Sequence, residues 1–437
     1  MNRDDLKYSQ YLAVLNEELL PAMGCTEPVS VAYAAAVARS ALVNPHSLKH
    51  CQIVVSGNII KNAKSVVVPN TNGLKGLPAA AAAGIAAGNH NLGLQVISQL
   101  DVSAMETMNA LLHDCKFDVA LADTTKTFYI EIQLECTNET SRAVIEDTHT
   151  NLTLLEHNGT MLSLPSSYDQ RVISASYTDR SFMNVDDILN FAEQVKLTDV
   201  AALLLRQIDY NSAISEEGMR HCWGSQVGKT LKASFPQDIY MQAIASACSG
   251  SDARMSGCGL PVIIISGSGN QGLTASMPVI TYAHLKGETQ DHLFRALVLS
   301  NLLTIHQKTE IGRLSAFCGA TSAGIGAVCG IAWLDNACHE DIKNIIRTSL
   351  GIVSGMVCDG AKASCAAKIA IALNSCLLGY KLVCNNCSFN GGDGLVSAGT
   401  DDTIHNIGLL AHDGMLETDK TILRIMANTL YPTFLKS

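Results

Sequence analysis

Residues 314–334, "LSAFCGATSAGIGAVCGIAWL", run for 21 positions without a charged side chain. That length alone would make the stretch a candidate for a membrane span. Its content argues otherwise, because Gly, Ala, Ser, Thr and Cys dominate it, whereas Leu, Ile and Phe are few. Small side chains let helices approach each other closely inside a packed protein. The stretch therefore predicts a buried core helix, with a membrane span as the alternative, and we expect no membrane partner.

The composition of the whole chain fits a protein with a large interior. Hydrophobic residues make up 47% of the 437 positions and charged residues 16%, whereas roughly 25% charged residues is usual in a soluble domain. Such a chain either encloses large cores, which its length permits, or covers surface in an oligomer, so we expect a homo-oligomer, a dimer. The net charge of −10 without a Lys/Arg cluster argues against nucleic acid, since phosphate binding needs a basic patch.

The N-terminal sequence and the cysteine content together bear on the cellular compartment. The first twenty residues carry charges throughout and contain no apolar signal core, which predicts a cytoplasmic protein. In a reducing cytoplasm the 15 cysteines stay free, bind metals or take part in catalysis, and structural disulfides are rare.

The texture of the sequence predicts an α+β fold in two parts. Residues 8–43 indicate helix interrupted by "PAMGCTEP", and the β-branched runs on both sides of "SGN" (56–58) indicate strands joined by a turn. Alternation in "TFYIEIQLEC" (127–136) indicates a half-exposed strand within a small α+β module. We predict that this module, residues 96–205, is inserted into a helix-rich catalytic domain built from both ends of the chain, residues 1–95 and 206–437.

Two cysteines near the C-terminal third stand at a spacing that needs a break in the chain. Cys358 and Cys365 lie seven positions apart, which in a continuous helix is a rise of about 10.5 Å, too far for two ligands of one compact cluster. Asp359-Gly360 favours a turn between them, with a helix starting near Ala361. Cys318 lies forty positions upstream. The three thiols are either ordinary buried cysteines or ligands of an iron–sulfur cluster with one iron left open.

A combination of motifs resembles the L-cysteine desulfidase family. The motifs are "GCTEP" (24–28), "SGSGNQG" (266–272), "RLSAFCGAT" (313–321) and "SGMVCDGAKASCAAK" (354–368), and "HNG" (157–159) and "SDAR" (251–254) fit the same pattern. The cysteine segments are also similar to those of the bacterial iron–sulfur L-serine dehydratases. The match spans nearly the whole chain, and its motifs are specific in combination, although none is decisive alone.

The resemblance implies a cofactor and a reaction. It assigns a 4Fe-4S cluster to Cys318, Cys358 and Cys365, whose open iron acts as a Lewis acid on the β-substituent of a small amino-acid substrate. The implied reaction is β-elimination of L-cysteine to pyruvate, ammonia and sulfide. Two alternatives stay open, namely dehydration of L-serine, in which hydroxide leaves, and a non-catalytic iron–sulfur or redox-sensing protein.

The resemblance also places the general base at Cys25. A thiol in this role needs a depressed pKa, from a positive neighbour or from a helix N-terminus, and the residues after Pro28 are expected to supply such a terminus. Glu27 is a rival base, and from the residues alone a kinked joint between helices with an incidental thiol is the preferred interpretation of this segment. The mechanism requires that Cys25 meet Cys318, Cys358 and Cys365 across the inserted module.

Two further segments are candidates for binding the substrate carboxylate. "SGSGNQG" satisfies G-x-G-x-x-G, but Pro278 falls inside the helix that a dinucleotide fold would need and no βαβ unit surrounds it. We therefore expect an anion-binding turn with substrate contacts from Ser266, Ser268, Gly269 and Asn270. "SGNIIKN" offers Asn58 and Lys61 for the same role, with a solvated strand end as the alternative.

Overall fold

The structure is a computed structural model that describes residues 1–163 and 178–428. Its longer helices are α1 (Leu6–Glu18), α2 (Thr26–Ser40), α3 (Gly57–Ala63), α4 (Gly76–Ala87), α5 (Val102–Asp114), α6 (Val185–Gln194), α7 (Leu197–Arg220), α8 (Val227–Ser234), α9 (Ile239–Met255), α10 (Gly269–Lys286), α11 (Gln290–Ile311), α12 (Ala320–Leu334), α13 (His339–Ile352), α14 (Cys365–Cys384), α15 (Thr400–Leu409) and α16 (Leu416–Asn428). The strands are β1 (Pro21–Met23), β2 (Leu48–Val55), β3 (Lys116–Leu121), β4 (Tyr129–Cys136), β5 (Thr140–Glu146), β6 (Leu152–His157), β7 (Thr160–Met161) and β8 (Pro261–Ile263). The predicted helix-rich α+β class is confirmed.

The uncharged segment 314–334 forms the centre of the helical part. Its helical portion is α12, in which every residue except Trp333 is buried, and α12 packs against α10, α11 and α14. The contact with α11 depends on small residues, because a Cβ on Gly326 would lie 2.3 Å from Thr304 Oγ1 and 2.5 Å from Ser300 O. The segment is a core helix, as its composition predicts.

Among the described residues one helix, α14, is long and apolar enough to cross a membrane by length and composition. Half of its most apolar window is buried inside the protein, and it packs against α9, α12 and α13. A core helix of a large protein is likewise long, apolar and packed against several helices, so the length and composition of α14 are weak evidence for a membrane span.

The second part of the fold is a six-stranded sheet in the order β3-β2-β4-β5-β6-β7. The pair β2–β3 is parallel and the other pairs are antiparallel, with Ile53 opposite Ile132 across β2 and β4. Helix α2 packs on β4 and β5, and the predicted alternation is seen in the buried side chains of β4, Ile130, Ile132, Leu134 and Cys136.

The sheet uses residues from outside the predicted insertion. Strand β2, at 48–55, lies between β3 and β4, so the module shares its sheet with the N-terminal segment. The limits 96 and 205 stay a prediction. The expected turn at "SGN" is wrong: Ser56 precedes helix α3, which carries Asn58 and Lys61. Burial of nearly the whole helix outweighs the β propensity of Ile59 and Ile60.

A short two-stranded ladder joins distant parts of the chain. Strand β1 pairs antiparallel with β8, with Pro21 opposite Ile263, and the Ile264 N–H donates to Leu20 O at 2.9 Å. Because "GCTEP" follows β1 and "SGSGNQG" follows β8, this ladder sets the two motifs side by side. The antiparallel pairing also means that β8 does not form the parallel βαβ unit of a dinucleotide site, although α10 does continue through Pro278.

Candidate functional site

The motifs predicted from the sequence converge on one cavity. Its volume is about 110 Å³, several times what one water molecule requires. Ten site residues are predicted from the sequence, not counting the rival base Glu27. Seven of these ten line the cavity, although they lie far apart in the chain: Cys25, Lys61, Ser268, Asn270, Cys318, Cys358 and Cys365. The structure thus places Cys25 beside the three cysteines, across the sheet-forming module.

Four helices begin at this cavity. Cys25 is the N-cap of α2, Ser268 of α10, Gly319 of α12 and Ser364 of α14. The first turn of a helix has unpaired backbone N–H groups and a partial positive charge. Four such ends around one cavity favour anionic ligands.

Cationic side chains reinforce that preference. Five of them line the cavity: Lys61, Arg254, Lys308, Arg313 and Lys368. The only carboxylate among the described lining residues is Glu27. Cationic side chains therefore outnumber carboxylates in the lining, although the whole chain carries a net charge of −10.

Cys318 and Cys358 are held side by side by an antiparallel bridge between Phe317 and Val357. The Cys318 N–H donates to Met356 O at 2.9 Å, and the Cys358 N–H donates to Ala316 O at 2.6 Å. Backbone hydrogen bonds thus fix both thiols at one edge of the cavity.

Cys365 reaches the same cavity because the chain turns at Gly360. Gly360 has φ +89°, and a Cβ there would lie 2.2 Å from Lys61 O. The predicted break after Cys358 is therefore present, but α14 begins at Cys365 rather than near Ala361. Residues 361–364 form turns instead, and the Cys365 N–H donates to Lys362 O at 2.9 Å, which leaves Cys365 as the first residue of the helix.

The electrostatics of the trio show how closely the thiols are grouped. Burial raises the pKa of Cys318 to about 12, and the neighbouring charge of Cys358 adds to this. Burial also raises the pKa of Cys365, with a further contribution from Cys358. The metal-free thiols of Cys318 and Cys365 therefore stay protonated at neutral pH, so that binding of a metal centre would release protons.

The donor set fits an iron–sulfur cluster. No three His, Cys, Asp or Glu side chains in the described part of the chain stand close enough together to hold a single metal ion. The trio consists of sulfur donors only, which favour iron–sulfur clusters among the soft-metal centres, and ligands at separate corners of a cluster stand further apart than ligands of one ion. The cavity supplies cations beside them.

Cys25 lies in a small buried cluster with Val66 and Met255, against which Ala361 and Cys365 pack. Its Sγ lies 3.0 Å from Glu27 Oε2. The expectation of a depressed pKa is wrong for this structure: burial, and then the charge of Glu27, hold the pKa of Cys25 well above its usual range, against the opposing effect of Arg254. Helix α2 also begins at Thr26, earlier than the position after Pro28 that the sequence suggested.

Glu27 is oriented by three neighbours. Its Oε1 accepts from Asn62 Nδ2 at 2.9 Å, and its Oε2 accepts from Cys25 at 3.0 Å and lies 3.1 Å from Thr26 Oγ1. Thr26 Oγ1 also donates to Gly267 O at 2.8 Å, which ties this carboxylate to the Gly-rich turn. Cys25 and Glu27 thus form one hydrogen-bonded pair.

Three predicted substrate-binding residues do not line the cavity: Ser266, Gly269 and Asn58. Ser266 is buried with φ +48°, and its Oγ has no hydrogen-bond partner in the described structure. Gly269 packs against Arg254. Lys61 does line the cavity but is paired with Asp419 of α16, at 2.5 Å.

Four cavity cations escaped the sequence analysis, namely Arg254, Lys308, Arg313 and Lys368. Lys308 is buried near Cys358 and Cys318, and burial lowers the pKa of its amine to about 8. The signal that singles out such residues in a sequence is weak, a lone basic residue in a helix of small or apolar neighbours, as Arg254 is in "SACSGSDARMSG".

Comparison with known proteins places the chain in a family. Residues 91–424 match the family described as serine dehydratase alpha chain. A UPF0597 protein of Desulfitobacterium hafniense is 48% identical over 98% of this chain and 99% of its own length. UPF0597 proteins of Finegoldia magna and Treponema denticola are 43% and 40% identical, over 95% and 98% of this chain and 99% of their own lengths. The chain therefore belongs to the serine dehydratase alpha-chain family, together with these full-length UPF0597 relatives.

Proposed function

We propose that this protein is a lyase that converts L-cysteine and water to pyruvate, ammonia and hydrogen sulfide by β-elimination. The observation that supports this most directly is the single cation-lined cavity shared by the Cys25–Glu27 pair and by Cys318, Cys358 and Cys365. A base and a group that accepts the leaving sulfur are the two requirements of the elimination, and both have candidates within one small site.

Cys318, Cys358 and Cys365 would hold a 4Fe-4S cluster. Such a cluster, with one iron free of protein ligands, supplies a Lewis acid for the sulfur that leaves the β-carbon. The chain's own contribution at this edge is to fix two of the thiols through the Phe317–Val357 bridge and to provide the buried cation of Lys308, which favours the thiolate form of its neighbours.

Removal of the Cα proton is the task of the Cys25–Glu27 pair. With its pKa held well above the usual range, the Cys25 thiol is neutral at rest, so it must first lose its proton. Glu27 Oε2, at 3.0 Å, is the acceptor in reach. In this scheme Sγ–H passes its proton to Glu27, and the resulting thiolate takes the proton from Cα. Asn62 and Thr26 hold Glu27 in place throughout.

The aminoacrylate that elimination leaves behind needs little further help. It tautomerises to an imine, which water hydrolyses to pyruvate and ammonia. The cavity is partly open to solvent and admits the water that this last step consumes, and no redox partner is required because no electrons leave the substrate.

L-Serine is the second candidate substrate, since the matching family is described as serine dehydratase. That match begins at residue 91, so Cys25, Glu27 and Lys61 lie outside it. These residues belong instead to the part of the chain whose "GCTEP" motif resembles the cysteine desulfidases, and we therefore place L-cysteine first. We also expect the enzyme to work in the cytoplasm, where its cysteines stay reduced, and to form a dimer.

The test is anaerobic reconstitution with iron and sulfide, followed by pyruvate assays with L-cysteine and L-serine. We expect a brown protein with absorbance near 400 nm and a higher kcat/KM for cysteine. A higher kcat/KM for serine would reassign the enzyme as a dehydratase. A brown protein that makes no pyruvate from either amino acid would indicate a sensory or structural cluster, and a colourless protein with full activity would refute the cluster.

A further inference from the structure

Arg254 is a buried guanidinium that lacks an anionic partner among the residues that the structure describes. It lies in the last turn of α9, is only 2% exposed and lines the cavity. Its Nε has no hydrogen-bond partner, and in residues 1–163 and 178–428 it forms no ion pair. Because burying an unpaired charge costs several kcal/mol, we expect an anion to bind it from the cavity.

The Gly-rich turn packs directly on this guanidinium. A Cβ on Gly269 would lie 2.4 Å from Arg254 Nε and 2.7 Å from Cζ. Because Gly269 has no side chain, the planar guanidinium packs flat against it and is held in one orientation. The other N–H donors of Arg254 are then free to face the cavity. The turn predicted to bind a carboxylate thus acts here as a support for an arginine.

The other cations near Cys25 already have carboxylate partners. Lys61 pairs with Asp419 at 2.5 Å, and Arg313 pairs with the buried Glu18 at 2.7 Å. Lys308 faces Cys318 and Cys358 instead. Arg254, by contrast, interacts electrostatically with Cys25, Glu27 and Cys365.

Glu27 does not neutralise Arg254. Its two oxygens are within hydrogen-bond distance of Asn62, Thr26 and Cys25, and it does not reach the guanidinium within ion-pair distance. The arginine therefore lies between the proposed base and the proposed cluster ligands while its own hydrogen-bonding capacity remains unused.

We propose that Arg254 binds the α-carboxylate of the substrate through a bidentate pair of hydrogen bonds and so restricts the site to α-amino acids. This inference rests on the proposed function only in taking an amino acid as the ligand. A carboxylate bound here places Cα on the Cys25 side and the β-substituent toward Cys318, Cys358 and Cys365. The planar guanidinium matches the two oxygens of a carboxylate, whereas the ammonium of a lysine cannot form the same bidentate pair of hydrogen bonds.

The test compares two thiol ligands that lack the full amino-acid framework. 3-Mercaptopropionate has the carboxylate without the amine, and cysteamine has the amine without the carboxylate. Their affinities are measured anaerobically by calorimetry on the reconstituted wild-type enzyme and on R254M, R254K and G269A. Iron content and urea unfolding of each variant establish that it is folded and loaded.

We expect R254M to weaken 3-mercaptopropionate binding by on the order of 100-fold, since charge-assisted hydrogen bonds are lost, and to change cysteamine affinity less than about threefold. R254K should recover part of the loss, and G269A, which displaces the guanidinium, should weaken 3-mercaptopropionate selectively. An equal loss for both ligands, or no loss for 3-mercaptopropionate, would overturn the proposal.

The same experiment separates this inference from the proposed function. A wild-type enzyme that binds 3-mercaptopropionate in an Arg254-dependent way but makes no pyruvate from cysteine or serine supports the arginine and refutes the lyase. An enzyme that turns over cysteine with the same KM in wild type and R254M supports the lyase and refutes the arginine.

Discussion

Gly360 makes the turn that brings Cys365 to the cavity, and the substitution G360A tests this directly. An alanine at φ +89° costs roughly 1–3 kcal/mol in backbone strain. Its Cβ would also lie 2.2 Å from Lys61 O and 3.0 Å from the carbonyl carbon, and these are backbone atoms that cannot rotate away. Overpacking of this kind typically costs about 1–3 kcal/mol more, so the total is about 2–6 kcal/mol.

The chain can respond to G360A in two ways, and both are measurable. If the loop keeps its position, the free energy of unfolding in urea falls by about the amount given above, which is a large part of the ~5–15 kcal/mol of a typical domain. If the loop moves away from α3, Cys365 is displaced from the cavity, and the iron and sulfide bound after anaerobic reconstitution fall instead.

Gly355 provides the matched control in the same segment. It is exposed, and a Cβ there would have no neighbouring atom within 4 Å, so G355A should match the wild type in both assays. If G360A also matched the wild type in both iron content and urea stability, the argument that the turn must approach α3 at this residue would be refuted.

Three further outcomes are expected. Replacing any one of the proposed ligands Cys318, Cys358 and Cys365 by serine should abolish the 400 nm absorbance and most bound iron. C384S, at an exposed thiol, should retain both, and a ligand variant that retained its full iron content would refute the assignment. Because burial and the Glu27 charge raise the pKa of Cys25, activity that needs its thiolate should increase with pH; E27Q removes the group that accepts the Sγ–H proton, so it should lower kcat at neutral pH and leave activity only at high pH, and complete loss of activity in E27Q at every pH would make Glu27 the base. Burial raises the pKa of Asp252 to about 6 from about 3.9 in the unfolded chain, so the native state binds the extra proton between pH 4 and 6 and the free energy of unfolding falls as pH rises through that window; D252N should flatten this dependence in urea unfolding, and an unchanged slope would contradict it.

The parts of the fold that sequence patterns predict well are those set by local composition. The small-residue stretch 314–334 predicts a buried helix because only close helix packing accommodates so many Gly and Ala residues, and α12 is such a helix. The alternation in 127–136 predicts a half-buried strand because side chains of a strand point to opposite faces, and β4 follows it.

Other features depended on contacts that no local pattern contains. The segment "SGNIIKN" has the β-branched residues of a strand, yet it folds as α3, because nearly the whole helix is buried by contacts that include residues far along the chain, such as Asp419 beside Lys61. The raised pKa of Cys25 results from complete burial next to Glu27, whereas its position at a helix N-terminus would suggest the opposite. The sequence shows Arg254 as one charge at a helix end, and only the folded chain shows that this charge is buried without a partner.

The distribution of charge suggests what the cavity is built to hold. Lys61, Arg313 and Lys368 pair with Asp419, Glu18 and Asp359, so their charges are balanced within the chain. Arg254 and Lys308 are 2% and 4% exposed and have no carboxylate partner in the described residues. Such burial is costly unless anions are bound.

The two unbalanced cations face different groups. Lys308 faces Cys318 and Cys358, whose thiolates appear when a metal centre binds, and Arg254 faces the Cys25 side, where a substrate carboxylate has room. One buried cation is thus available for each anionic group of the proposed reaction, Lys308 for the thiolates of the cluster ligands and Arg254 for the substrate carboxylate. Binding of the proposed cluster and of the proposed amino acid should therefore each stabilise the folded site.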